Sequence, residues 1–226
     1  MQAQYDRMWA EAQLALAGGS PGLDSHLPHK TSDRRRSATL LIRPSADTAA
    51  AVDGVLAELR AIEPDQYFYA PEELHVTVLS LFTGTEAPEP YLAQLPRYRE
   101  AIDPVLAATS RFVVRFDGLT ASPAAVLVQG YPEGSALEAL RAALRAAIQA
   151  VGHGENLDRR YRITTAHMTA VRFCRPLRDP QRLAATLESL RRCDFGISRV
   201  AEIHLVENDW YMSQDRVSLL HTYFLR

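Results

Sequence analysis

His75-Val76-Thr77-Val78 and His167-Met168-Thr169-Ala170 are the two stretches on which the reading of this sequence turns. Each lies in a short apolar segment whose composition predicts a strand, over 75–82 and over 161–173. Residues i and i+2 of a strand point to the same face, so each segment presents one imidazole and one hydroxyl side by side. Each also follows a tyrosine by six residues, Tyr69 in the first case and Tyr161 in the second. A single His-x-Thr in a strand is most simply a structural accident. Two of them, at matching places in a repeated pattern, point to shared chemistry.

Working outward, each motif is the middle strand of a similar series. The first runs strand 37–43, helix 47–62, strand 75–82, helix 88–108 with an irregularity at Pro96, and strand 111–118 with Asp117-Gly118 as a turn signal. The second runs strand 125–129, helix 135–151, a polar loop 152–160, strand 161–173 and helix 180–192. It closes with an antiparallel pair, 200–206 and 217–224. A repeat of about 90 residues, present twice, is too long and too few in number for a solenoid. The expected fold is α+β: a bilobal, pseudo-twofold duplication in which two antiparallel sheets face a central cleft, with helices outside. Residues 1–36 are expected to form a helical and loop extension. Residues 37–226 form a single domain, with a first half over 37–124 and a second over 125–226.

Composition narrows the function. The chain has 226 residues, 47% hydrophobic and 23% charged, with a formal net charge of −2. That balance does not suit a dedicated binder of duplex nucleic acid. Positive charge is almost wholly arginine, Lys30 being the single lysine. Cys174 and Cys193 make no disulfide framework and no CxxC pair, so two buried or half-buried thiols are expected. The first 17 residues are amphipathic rather than signal-like. No run reaches the roughly 18–20 apolar residues of a membrane span. A cytoplasmic protein that does not associate with membranes is expected.

Two imidazoles and two hydroxyls converging on one cleft suit in-line displacement at phosphorus. One neutral histidine takes a proton from the attacking oxygen, and an opposite protonated one gives a proton to the leaving oxygen. Threonine hydroxyls donate to the non-bridging oxygens. The scheme calls for no metal and no cofactor.

The paired motifs, 92 residues apart in a bilobal α+β pattern, resemble the two-histidine (2H) phosphoesterase superfamily. That group includes the bacterial 2′-5′ RNA ligase-like proteins and cyclic nucleotide phosphodiesterases. The resemblance spans roughly 37–226. It implies that His75 and His167 are the catalytic histidines and that Thr77 and Thr169 bind phosphate. The implied substrate is a nucleotide or RNA end carrying a 2′,3′-cyclic or 2′-5′ phosphate. Val78 and Ala170 stand where leucine is common in the family, which affects subfamily placement rather than chemistry. No GxxxxGK[ST] phosphate loop is present, so an ATP-using ligase is not expected.

Further candidates carry plainer alternatives. Arg172 is a candidate phosphate ligand, yet strict alternation puts it on the face opposite His167, so a bend or the strand end is needed. Tyr69 and Tyr161 either line the cleft or pack. Arg43 and Arg162 are candidates for adding positive potential. His26 and His29 have a metal-compatible spacing without a third ligand nearby, and a surface loop is the expectation. Trp210 and Tyr211 form a binding wall or anchor a turn. No obligate protein partner is evident, and a monomer is expected. The competing function is a non-catalytic nucleotide- or RNA-binding module using the same cleft.

Overall fold

Strands β3 (Val76–Ser80) and β6 (Met168–Arg172) meet at the centre of the molecule through the backbone pair Val76↔Met168. The computed structural model describes residues 1–158 and 162–226. On one side of this seam β6 pairs with β5 (Ala125–Pro132), β5 with β4 (Phe112–Ser122), and β4 with β7 (Asp194–Val200). On the other side β3 pairs with β1 (Arg36–Ile42), β1 with β8 (Glu202–Asp209), and β8 with β9 (Ser218–Phe224). Every pairing is antiparallel. A two-residue strand, β2 (Tyr67–Phe68), pairs with the end of β6. The expected two antiparallel sheets are thus two four-stranded halves of one curled sheet.

The sheet halves do not follow the chain halves expected at 37–124 and 125–226. β4 pairs with β5 and β7, while β8 and β9 return to β1. The reason is local: only Pro123 and Ala124 separate β4 from β5, and so short a connection makes consecutive strands neighbours. The turn expected at Asp117-Gly118 is instead a bulge within β4, with the register shifting between Phe116 and Leu119. Gly118 sits at φ +81, and a Cβ there would lie 2.0 Å from the Arg191 carbonyl oxygen. The expected helix over 88–108 divides into α3 (Glu89–Leu92) and α4 (Leu95–Ala108). The strand expected over 161–173 is only β6, five residues long, and β7 and β2 were not foreseen.

Helices cover the apolar side. α2 (Ala46–Ile62) starts at Ser45, whose hydroxyl accepts from the Thr48 amide at 3.3 Å, and it buries Val52, Leu56, Leu59 and Ile62. α5 (Ala136–Ala150) buries Leu137, Leu140, Leu144 and Ile148, together with two arginines, Arg141 and Arg145. α6 (Pro180–Ser189) is capped by Asp179. The first helix, α1 (Gln2–Ala17), packs on β4 and α6 through Tyr5, Trp9, Ala12 and Leu16. The segment after it is strapped down: the Gly22 amide donates to Pro123 and the Asp24 amide to Phe173, both at 2.8 Å. Among the described residues no helix is long and apolar enough to cross a membrane.

Candidate active site

The polar face of the seam is a cleft lined by His75, Thr77 and Ser80 from one half and by Thr165, His167, Thr169 and Arg172 from the other. Two bulges build it. Along β1 and β3, Leu40 pairs with Leu79 but Leu41 pairs with Thr77, leaving Val78 extra. Along β5 and β6, Val126 pairs with Val171 but Leu127 pairs with Thr169, leaving Ala170 extra. An extra residue resets which face the following side chains take. Thr77 and Ser80, three apart, therefore share the cleft, as do Thr169 and Arg172. This is the bend that Arg172 needs, and Ser80 is its counterpart in the other half.

Each histidine is held by the residue two positions before it. His75 Nδ1 lies 2.7 Å from the Glu73 carbonyl oxygen, and His167 Nδ1 lies 2.7 Å from Thr165 Oγ1. A carbonyl only accepts, so His75 carries its proton on Nδ1 and its neutral form leaves a bare Nε2. A hydroxyl both donates and accepts, so Thr165 suits either state of His167. Both rings are pushed down to about 4. Burial is the main cause for His75, with Arg43, His167 and Arg172 adding and the Glu73 carbonyl opposing. Burial again leads for His167, with Arg141 and Arg172 adding. Without a ligand both histidines are neutral at pH 7.

The cations are fixed in place. Arg172 Nε donates to the Tyr69 hydroxyl at 3.3 Å, and its guanidinium lies 3.8 Å from Asp24. Tyr211 donates to the same carboxylate at 3.0 Å. Arg141, buried in α5, reaches through the sheet's back: Nε donates to the Val78 carbonyl at 3.0 Å and Nη2 to the Thr77 carbonyl. It thus holds the backbone at the β3 bulge, where the register with β1 shifts. Glu73, whose backbone holds His75, accepts from the Tyr67 hydroxyl, which in turn receives a hydrogen bond from Lys30 at 3.0 Å.

The structure brings His75, Thr77, His167, Thr169, Arg172 and Tyr69 together. Tyr69 is buried, and its hydroxyl is engaged by Arg172 rather than turned to a ligand. Tyr161 lies outside the described residues. Arg43 stands behind His75, donating to the Leu74 carbonyl at 3.2 Å, and Arg162 is exposed. Trp210 and Tyr211 do line the cleft, while Arg35 stacks over the Trp210 ring at 4.8 Å. Thr165, Ser80 and Arg141 were missed. Thr165 was legible as the i−2 neighbour of His167 on the same face; the other two depend on bulges no spacing reveals.

A family model described as the 2′-5′ RNA ligase superfamily matches residues 45–209. No curated protein matches the chain in sequence. Among solved structures the chain is similar to TT0787 of Thermus thermophilus, with TM-score 0.64 and 18% identity over 84% of this chain and 98% of that one. It is also similar to E. coli LigT complexed with ATP, with TM-score 0.52 and 14% identity, and to LigT complexed with 3′-AMP, with TM-score 0.53 and 15% identity. Each LigT comparison covers 84% of this chain and 98% of that one. At these identities the likeness is one of fold. The family match spans most of the chain and contains both histidine motifs, and on that ground the protein belongs to the 2′-5′ RNA ligase superfamily, the two-histidine phosphoesterases.

Proposed function

We propose that this protein is a metal-independent phosphodiesterase that opens 2′,3′-cyclic phosphates, or cleaves 2′-5′ linkages, at nucleotide or RNA ends. The observation that carries the reading is the matched pair of imidazoles, each tied at Nδ1 with Nε2 left for a ligand, beside Thr77, Thr169 and Arg172 in one cleft. The nucleotide complexes of LigT, a protein of similar fold, agree with a nucleotide-sized ligand here.

The two hydrogen bonds at Nδ1 support a division of roles. The Glu73 carbonyl keeps His75 in the tautomer with a free Nε2 lone pair and raises its basicity, so His75 is the base. His167 is the acid, with Thr165 able to accept from its imidazolium. The substrate's anionic phosphate favours protonation of His167, so substrate and one proton bind together. His75 Nε2 then removes a proton from water as the water oxygen attacks phosphorus. The bond from phosphorus to the 3′ oxygen breaks, and that oxygen takes the proton from His167 Nε2. The product is a 2′-phosphomonoester. Thr77, Thr169 and Arg172 hold the non-bridging oxygens, where charge concentrates.

The test is hydrolysis of 2′,3′-cyclic AMP and of a short 2′-5′ oligoadenylate in EDTA, with His75→Ala and His167→Ala beside the wild type and the product isomers separated by chromatography. Turnover that collapses in both variants is expected. Tight binding without turnover in the wild type would replace this reading with a nucleotide-binding module.

A further inference from the structure

The register that ends at Val128↔Met168 would, two residues further, set Gly130 opposite Ala166. Those two residues do not complete the ladder. The hydroxyl of Tyr5, from α1, is inserted between them. It donates to the Gly130 carbonyl at 2.9 Å and accepts from the Gly130 amide at 3.1 Å and the Ala166 amide at 3.2 Å. One donor and two acceptor sites are the whole capacity of a phenol, and all three are used. Tyr5 is fully buried, and burial, the main cause, holds its hydroxyl well above its usual pKa, so it stays protonated. Gly130 permits the approach, since a Cβ there would lie 2.1 Å from the Ala166 carbonyl oxygen.

Ala166 sits between the two residues that make the acid: Thr165, whose hydroxyl holds the ring, and His167 itself. We propose that Tyr5 is a positioning residue for His167, fixing the Thr165–Ala166–His167 backbone from a helix that lies outside the family-matched residues 45–209. The inference rests on the phosphodiesterase reading only for its kinetic arm. The first half of the site has a different solution at the same place: Arg43 holds the Leu74 carbonyl, just before His75. The two histidines are therefore set by unlike devices, and a change at Tyr5 acts on one of them.

The experiment compares wild type, Tyr5→Phe and Ala12→Gly, the last weakening the same helix without touching the hydroxyl. With the phenol oxygen gone, the Ala166 and Gly130 amides have no partner in a buried place and draw in water. By NMR, the His167 imidazole in Tyr5→Phe then titrates at higher pH than in the wild type, while His75 is unmoved. On 2′,3′-cyclic AMP, kcat falls about tenfold or more with KM little changed, as displacement of a catalytic group predicts. Ala12→Gly lowers Tm yet shifts neither the His167 titration nor kcat. An unshifted His167 in Tyr5→Phe overturns the proposal, as does an equal effect of Ala12→Gly. If Tyr5→Phe does not fold, amide exchange in the wild type decides: protection of Ala166 comparable to that of Met168 supports the anchor, and free exchange overturns it. A wild type without turnover removes the phosphodiesterase reading while the NMR arms still judge Tyr5.

Discussion

Val76 and Met168 form the backbone pair that joins the two halves of the sheet, and each immediately follows a candidate catalytic histidine. Continuing that antiparallel register by one residue sets His75 opposite Thr169 and Thr77 opposite His167. The pseudo-twofold axis of the molecule thus passes through the centre of the candidate site. Two such groups on neighbouring strands lie about 5 Å apart at Cβ, a separation across which one phosphate can be gripped from both sides. Within the cleft the symmetry is broken by a carbonyl against a hydroxyl at Nδ1 and by Ser80 against Arg172, and behind it by Arg43 at Leu74 against Tyr5 at Ala166.

That difference at Nδ1 predicts unequal behaviour of the two histidine variants. With a nucleotide substrate, His75→Ala and His167→Ala each lose about 10²–10⁴-fold in rate. With a p-nitrophenyl phosphodiester, whose leaving group departs without a proton, His167→Ala regains most of its rate and His75→Ala does not. Rescue of the opposite variant would reverse the assignment of base and acid.

Both imidazoles titrate at about 4 in the folded chain, against about 6.5 when unfolded. Between those values the unfolded chain binds more protons than the folded one, so stability rises with pH and levels off above about 6.5. Each unit of separation is worth about 1.4 kcal/mol. Urea midpoints measured from pH 4.5 to 7.5 should therefore climb more steeply for the wild type than for a His75→Gln/His167→Gln double variant. Parallel profiles would mean that the folded-state values are not depressed.

Arg172 reaches the cleft only through the Ala170 bulge and is steadied by Tyr69 and Asp24. A charge-assisted contact to phosphate is worth about 1.5–3 kcal/mol. Arg172→Ala should raise KM for a cyclic nucleotide by roughly 10–100-fold, with inhibition by inorganic phosphate weakened in parallel. Unchanged phosphate inhibition would place Arg172 among structural ion pairs instead.

Arg141 is buried, and its guanidinium serves the Thr77 and Val78 carbonyls. Arg141→Met keeps much of the volume and removes both of these buried hydrogen bonds, at a cost of about 1–3 kcal/mol for each. Thermal and urea unfolding should show a loss in that range. The variant's kcat should fall as well, because the β3 bulge presents Thr77. Wild-type stability in Arg141→Met would show that the bulge supports itself.

What the sequence determined by itself was whatever repeats locally. The doubled His-x-Thr, strand alternation and helical spacing placed His75, Thr77, His167 and Thr169 on two like strands and put both motifs in one α+β duplication. Strand partners were another matter. Which half β4, β8 and β9 join depends on contacts between distant residues, and β7, DFGISRV, shows no clean alternation because Gly196 interrupts it. Arg172 was legible as a candidate but not as a cleft residue, since a bulge is a property of two strands in register and no single strand encodes it. The same holds for Arg141 and Tyr5. Each fills a hydrogen-bonding gap that exists only once the sheet has curled and its central strands have splayed, and the tertiary structure alone decided that a helix arginine and an N-terminal tyrosine would stand there.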